Sequence, residues 1–258
     1  MTEKDKYIVG TSGFSFADWV GTFYLPGTKQ AGMFGQYVRH FVAVELNFTI
    51  YLMTSPATLE RMAANSPEGF LFWVKANQQL THEQDRSACR QFLDALLPMR
   101  QANKLAGVLL QFPQSFHRTV ANRKFLAAAT ADMAGTPLAV EFRHRSWQHP
   151  STLDGLRQRN LTLVVPDVPD LADLYAPPPA VTSNIGYLRL HSRNAENWYG
   201  GEAKRYDYNY SQAEMRKLLE EWTQLERQVD RVYAMFNNCH RGQAAQNAQA
   251  FRRILGQI

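Results

Sequence analysis

Short apolar runs recur along the whole chain, each followed by a stretch of helical character. The runs cover residues 7–12, 41–47, 70–76, 106–112, 137–143, 161–166, 185–191 and 232–238. They are rich in Val, Ile, Leu and Phe on both faces, as strands covered on both sides are. The clearest helix-like segments are 56–65, 83–103, 122–133, 211–227 and 243–254. Thr119 and Asn122 can cap the third, and Ser211 with Glu214 three residues on has the capping-box spacing. Successive runs begin mostly about 25 to 45 residues apart, which suits a strand, a crossover helix and two loops. Eight such units in 258 residues predict an α/β fold, a single (β/α)8 TIM-type barrel domain. An open doubly wound sheet is the alternative, but no GxGxxG or Walker-type loop follows any run. The Ala176-Pro177-Pro178-Pro179 stretch reads as the loop before the seventh strand rather than as a linker.

The predicted strands end in polar residues. In order, the ends carry Thr11 and Ser12, Glu45 and Asn47, Lys75, Gln111, Glu141 and Arg143, then Asp167 just after the sixth, Arg189 and His191, and Asn237 and Asn238. Glu45/Asn47, Glu141/Arg143 and Arg189/His191 are i, i+2 pairs, so each pair shares a face of its strand. Leu46, Phe142 and Leu190 then face the helices, and the polar set points into the barrel at its carboxyl mouth, where barrel enzymes place their chemistry. Ion pairs that merely plug the barrel would give some of these residues. The whole set argues for a ligand site, because buried charge is costly where Leu or Val would serve stability.

Lys75, Arg143 and Arg189 converging on one pocket suit a phosphate or carboxylate, which Arg grips in bidentate fashion. Glu45 and Glu141 are the acid–base candidates, with His191 as the alternative proton carrier. Asn47, Gln111, Asn237 and Asn238 would orient hydroxyls, with His82 beside them. Beyond the seventh strand, Trp198 and Tyr199 open a glycine-containing segment, 198–210, with little apolar company; it suits a lid or a ring-stacking surface. Trp19 and Trp147 read as loop packing. A metal is not expected: no HxH or HExxH spacing occurs, and the neighbouring cations would repel one. Nor does any signature call for a cofactor. Lys75 could form a Schiff base if its pocket lowers its pKa. Cys239 beside His240 reads as incidental.

Charge and composition narrow the setting. Lys and Arg outnumber Asp and Glu by 28 to 23, giving a net charge of +5 without a basic block. Two cysteines make no disulfide framework. The charged start and the absence of a run of about 20 apolar residues point to a cytoplasmic protein without a membrane partner.

The same residues carry a family resemblance. IVGTSGFSFADW with FYLPG, VELNFTIY, FWVKANQQLTH, GVLLQFPQSF, AVEFRHRSW, YLRLHSR with WYGG, YDYNY and FNNCHRGQAAQNA occur in order along nearly the whole chain. In these stretches the sequence resembles the domain of unknown function 72, or YecE-like, family. The resemblance implies a TIM barrel and places Glu45, Asn47, Lys75, Thr81, His82, Gln111, Glu141, Arg143, Arg189, His191, Trp198, Tyr199, Tyr206, Tyr208, Asn237 and Asn238 at the family's signature positions. Two departures stand out: Ser192 where a glycine is usual, and Leu52 where many members carry an arginine. The family name supplies no activity. Its fold is similar to endonuclease IV-like and xylose isomerase-like barrels, whose metal clusters this sequence does not visibly provide.

The leading expectation is an enzyme acting on a phosphorylated or otherwise anionic, sugar- or nucleotide-like small molecule. The alternatives are nucleic-acid binding or processing and a non-catalytic ligand-binding protein. A glycoside hydrolase ranks lower, since three cations beside two carboxylates suit neutral glycans poorly.

Overall fold

The computed structural model describes residues 6–50 and 54–258. Eight parallel strands form a nearly closed barrel: β1 (Tyr7–Thr11), β2 (Ala43–Leu46), β3 (Leu71–Lys75), β4 (Leu105–Gln111), β5 (Leu138–Glu141), β6 (Thr162–Asp167), β7 (Ile185–Leu190) and β8 (Arg231–Phe236). The strands pair in sequence order, with β8 returning to β1. Between β1 and β2 the ladder shrinks to a Ser12–Glu45 bridge. Tyr37 reinforces that seam: its hydroxyl accepts the Thr11 amide at 3.1 Å and donates to the Ala43 carbonyl at 3.0 Å. Gly10 permits the approach, because a Cβ there would lie 2.5 Å from the Ala43 carbonyl oxygen.

The crossover helices are α1 (Gln30–Tyr37), α2 (Pro56–Ala64), α3 (Gln78–Thr81), α4 (Ala88–Ala95), α5 (Leu97–Gln101), α6 (Val120–Asp132), α7 (Pro150–Arg157), α8 (Glu202–Arg205), α9 (Gln212–Trp222) and α10 (Gln243–Ile254). Thr119 caps α6, and Ser211 with Glu214 forms the expected capping box on α9. The helix expected over 83–103 divides into α4 and α5 instead. Pro98 sits in the first turn of α5, and proline has no amide to continue a preceding helix. The sixth unit departs further, because no helix links β6 to β7. Its prolines cannot donate, and the segment instead pairs beside the end of β5: Tyr175 N–H donates to Arg143 O and Arg145 N–H to Asp173 O, both at 2.9 Å.

The core has two compartments. Leu46, Phe142 and Leu190 lie in the layer between strands and helices, as the alternation requires. The lumen holds a separate apolar plug of Ala43, Trp73, Leu109, Ala139, Val164, Tyr187, Tyr233 and Met235. Gly107 makes room for it: a Cβ there would fall 2.5 Å from the Trp73 ring.

Candidate functional site

The polar layer sits one step above this plug. Two residues on from Ala43, Trp73, Leu109, Ala139, Tyr187 and Met235 come Glu45, Lys75, Gln111, Glu141, Arg189 and Asn237. Period-two alternation therefore stacks a charged storey on an apolar one. The loops that hold the storey are pinned by aromatic stacks outside the barrel. Phe142 lies 4.1 Å from Trp147, and Phe112 lies 4.0 Å from Phe116, ring centre to ring centre. Trp19 donates from Nε1 to the Cys239 carbonyl at 2.7 Å, tying the loop after β1 to the end of β8.

Arg189 is the hub. Its Nη2 donates to Glu45 Oε1 at 2.6 Å, its Nε to Glu45 Oε2 at 3.0 Å, and its Nη1 to Glu141 Oε2 at 2.7 Å. The Tyr187 hydroxyl completes Glu45, donating to Oε2 at 2.6 Å. Arg143 Nε lies 2.8 Å from Glu141 Oε1, close enough for ion pairing but off the line of the N–H. Burial alone would raise the Glu141 pKa; Arg143, Arg189 and His191 override it and hold the carboxyl well below its usual range. His191 moves the other way. Burial, then repulsion from Arg143, lowers it to about 3 despite its contact with Glu141. A neutral imidazole fits its partners: Nε2–H donates to Glu141 Oε1 at 3.1 Å, and Nδ1 accepts from Asn237 Nδ2 at 2.8 Å.

Above this floor opens a cavity of about 490 Å³. Its lining includes Ser12, Asn47, Lys75, Arg143, Arg189, Tyr206, Asn237 and Cys239, with Phe14, Phe16 and Phe48. Lys75 ends β3 with its side chain in the lumen, and Thr49 Oγ1 donates to its carbonyl. Its ammonium makes no hydrogen bond or ion pair among the described residues. Burial, then the charges of Arg189 and Arg143, lower its pKa from 10.5 to about 7. Arg143 Nη1 and Nη2 are likewise without protein partners among the described residues. Asn47 Oδ1 is buried and accepts no hydrogen bond among the described residues.

A family model described as protein of unknown function DUF72 matches residues 8–258. The chain belongs to the DUF72 family. It is 31% identical over 267 residues to the UPF0759 protein YunF of Bacillus subtilis, covering 96% of this chain and 94% of that protein. A solved DUF72 family protein of Thermotoga maritima is 37% identical, with a TM-score of 0.89, over 97% of this chain and 99% of that one. One from Enterococcus faecalis is 25% identical, with a TM-score of 0.85, over 97% and 95%.

In this DUF72 barrel the residues singled out by sequence fall into three places. Glu45, Glu141 and His191, expected as the acid–base set, are wholly buried beneath the cavity and do not line it. Arg189, expected to grip the anion, reaches the cavity but gives three of its five N–H bonds to the carboxylates. Lys75, Arg143, Asn47 and Asn237 face the open space. Gln111 is buried close by, its Nε2 donating to the Phe112 carbonyl at 2.6 Å. His82 is exposed at the rim, Nδ1 2.9 Å from Thr81 Oγ1; partial burial, then Lys75 and Arg143, lowers its pKa.

Asn238 leaves the site. Its Nδ2 donates to the Tyr208 carbonyl and Asn247 Oδ1, both at 2.7 Å, so it braces the 198–210 segment against α10. That segment has more apolar company than the sequence suggests. Trp198 and Tyr210 are buried, while Tyr199 is 65% exposed. Arg205 lies over the rings of Trp198 and Tyr206 and donates to the Trp198 carbonyl. Trp198 and Tyr206 in turn stand over His191. Asp167 belongs to a separate cluster. It accepts two hydrogen bonds from Arg193 Nε and one from Nη2, and another from the Tyr210 hydroxyl at 2.6 Å. Sequence reasoning missed Arg193 as a partner; its i, i+2 spacing from His191 was the available signal. Leu52, the other departure from the family pattern, lies outside the described residues. The Cys239 thiol is pushed up by burial and lies 3.3 Å from the Ser12 carbonyl, against a nucleophilic role. Among the described residues, no three His, Cys, Asp or Glu side chains gather as a metal-ligand set. No helix among them is long and apolar enough to cross a membrane.

Proposed function

We propose that the carboxyl mouth of this barrel binds a small anionic substrate, phosphorylated or carboxylated, and that the protein is an enzyme acting on it. The observation that carries this reading is Lys75 at the cavity wall, a cation that no carboxylate among the described residues neutralises, beside the outward edge of Arg143. Glu45 and Glu141 are already matched by Arg189 and by Arg143 through its Nε, so these four charges balance without Lys75. Arg143 offers a free guanidinium edge to an oxyanion. Asn47, with an unfilled acceptor, and Asn237 suit neighbouring hydroxyls. The floor carboxylates set the direction of Arg143 and Arg189 rather than touching the ligand.

An anion beside Lys75 favours its charged form, so binding takes up a proton. Affinity then falls as pH rises through about 7 and onward. The test is a thermal-shift series at fixed ionic strength with sugar phosphates, nucleotides, neutral sugars and short oligonucleotides, repeated on Arg143→Ala. A ligand at 100 times its Kd stabilises by about 2.7 kcal/mol. A shift from small phosphates that disappears in Arg143→Ala supports the reading. Equal shifts in both proteins, or a shift from oligonucleotides alone that declines steeply with salt, overturn it.

A further inference from the structure

We propose that Lys75 is a Schiff-base nucleophile for a small aldehyde or ketone that carries a phosphate, with the phosphate toward Arg143 and the carbonyl carbon at Nζ. The inference rests on the anion-site reading and adds the reacting group of the substrate. Lys75 has the three features that such an amine needs. It projects from a strand end into a cavity of about 490 Å³, large enough for a small sugar phosphate. It is 9% exposed, and no carboxylate or carbonyl among the described residues accepts from its Nζ, so no acceptor holds the group in its protonated form. Two guanidinium groups, Arg143 and Arg189, share its surroundings, and a cationic neighbour in a desolvated pocket is a recognised way of activating lysine. Glu45 and Glu141 would oppose that activation, but both are engaged by Arg189. Cys239, its thiol pushed up by burial, and Tyr206 share the cavity lining, and the pKa of exposed His82 is lowered by desolvation and then by Lys75 and Arg143.

The chemistry balances without an added oxidant or reductant. The Nζ lone pair attacks the carbonyl carbon, forming the C–N bond as the C=O π pair moves to oxygen, which takes up a proton. Nitrogen loses a proton, and the resulting carbinolamine expels its hydroxyl as water. The product is an imine: one carbonyl compound and one amine give one imine and one water. A phosphate held on Arg143 would orient the carbonyl while leaving the amine free, which separates the two cationic residues by task.

The test is reductive trapping of the intact protein at pH 7 with glycolaldehyde phosphate or dihydroxyacetone phosphate and cyanoborohydride. Cyanoborohydride delivers hydride to the imine carbon and leaves a stable secondary amine. Intact-mass and peptide mapping should find one adduct, on the peptide containing Lys75, formed at least tenfold faster than on any surface lysine. Its rate should level off just above pH 7, whereas surface lysines continue to react faster toward pH 10. Glycolaldehyde without phosphate should label Lys75 more slowly. Lys75→Arg, whose folding is checked by circular dichroism, should lose the adduct, because a guanidinium forms no imine under these conditions. Mapping of the wild-type protein decides the matter even if that variant does not fold. Adducts scattered over surface lysines, with Lys75 unmodified while the same phosphates still raise the melting temperature, overturn the Schiff base and leave the anion site standing. No adduct and no thermal shift overturn both.

Discussion

Replacing Lys75 by methionine is expected to stabilise the protein while removing its ligand chemistry. The ammonium is buried without a partner among the described residues, and its pKa lies at about 7 instead of 10.5. In the unfolded chain it regains the ordinary value. At about 1.36 kcal/mol per pH unit, the fall from 10.5 to about 7 corresponds to about 5 kcal/mol against the folded state. The sign follows from linkage. Below about pH 7 the group is charged in both states, and the full penalty applies. Between about 7 and 10.5 only the unfolded chain keeps the proton, so the penalty shrinks as pH rises. Above 10.5 it vanishes.

Methionine keeps the unbranched apolar stem and discards the charge. The variant should therefore exceed the wild type by about 5 kcal/mol at pH 6 and about 2 kcal/mol at pH 9, by the same conversion. Water entering the open cavity scales both figures down together, so the sign and the narrowing with pH are the test. Urea unfolding followed by tryptophan fluorescence and circular dichroism at the two pH values measures it. A variant less stable than the wild type, or a gap that does not narrow with pH, refutes the reasoning.

Removing the hub should have the opposite effect. Arg189→Met leaves buried Glu45 without a cation and Glu141 with Arg143 alone, and is expected to cost about 3–5 kcal/mol in urea unfolding, with part of the loss recovered by adding Glu45→Gln. His191 should show a flat imidazole signal by NMR from pH 5 to 8, with the proton on Nε2 and protonation only near pH 3; a midpoint near 6.5 would remove the neutral histidine from the floor. Gly107→Ala pushes a methyl to 2.5 Å from Trp73 and should destabilise by about 1–3 kcal/mol while shifting tryptophan emission. Gly35→Ala in α1, where nothing lies within 4 Å of the new Cβ, should instead stabilise by about 0.4–1 kcal/mol.

The barrel was legible because its signal is local and repeated. Each strand is an apolar run covered on both sides, and the polar residue at its end marks the carboxyl mouth without reference to other strands. The pairs Glu45/Asn47, Glu141/Arg143 and Arg189/His191 kept their shared faces for the same reason. Helix breaks were harder to read. Pro98 lies in a sequence whose apolar spacing continues past it, so periodicity alone joined α4 to α5. Role assignment was the least legible, since it depends on which strands become neighbours across the lumen. Arg189 and Glu45 are 144 residues apart and meet at 2.6 Å. No spacing rule announces that contact, yet it turns Arg189 from a ligand grip into a hub for two carboxylates. Asn238 illustrates the same limit. Its neighbour Asn237 faces the lumen, so alternation sends Asn238 outward to Tyr208 and Asn247.

The division between floor and wall explains why a barrel would hold five charged side chains where Leu and Val would pack more stably. A buried ion pair is weak support for stability, because desolvating both partners consumes most of their attraction. If the layer existed only to plug the lumen, two carboxylates and two cations would close it with no charge left over. Glu45, Glu141, Arg189 and Arg143 already make that neutral set. Lys75 is the fifth charge, with no carboxylate among the described residues left to pair it; burial first, and then Arg189 and Arg143, lower its pKa. Trp198 and Tyr206 lie against His191, and Glu45, Glu141 and Arg189 are buried, while Lys75 lines the open cavity. An unmatched charge at the wall of a cavity of about 490 Å³, on a floor that is already balanced, is what a site requires if its missing counter-charge arrives with the substrate.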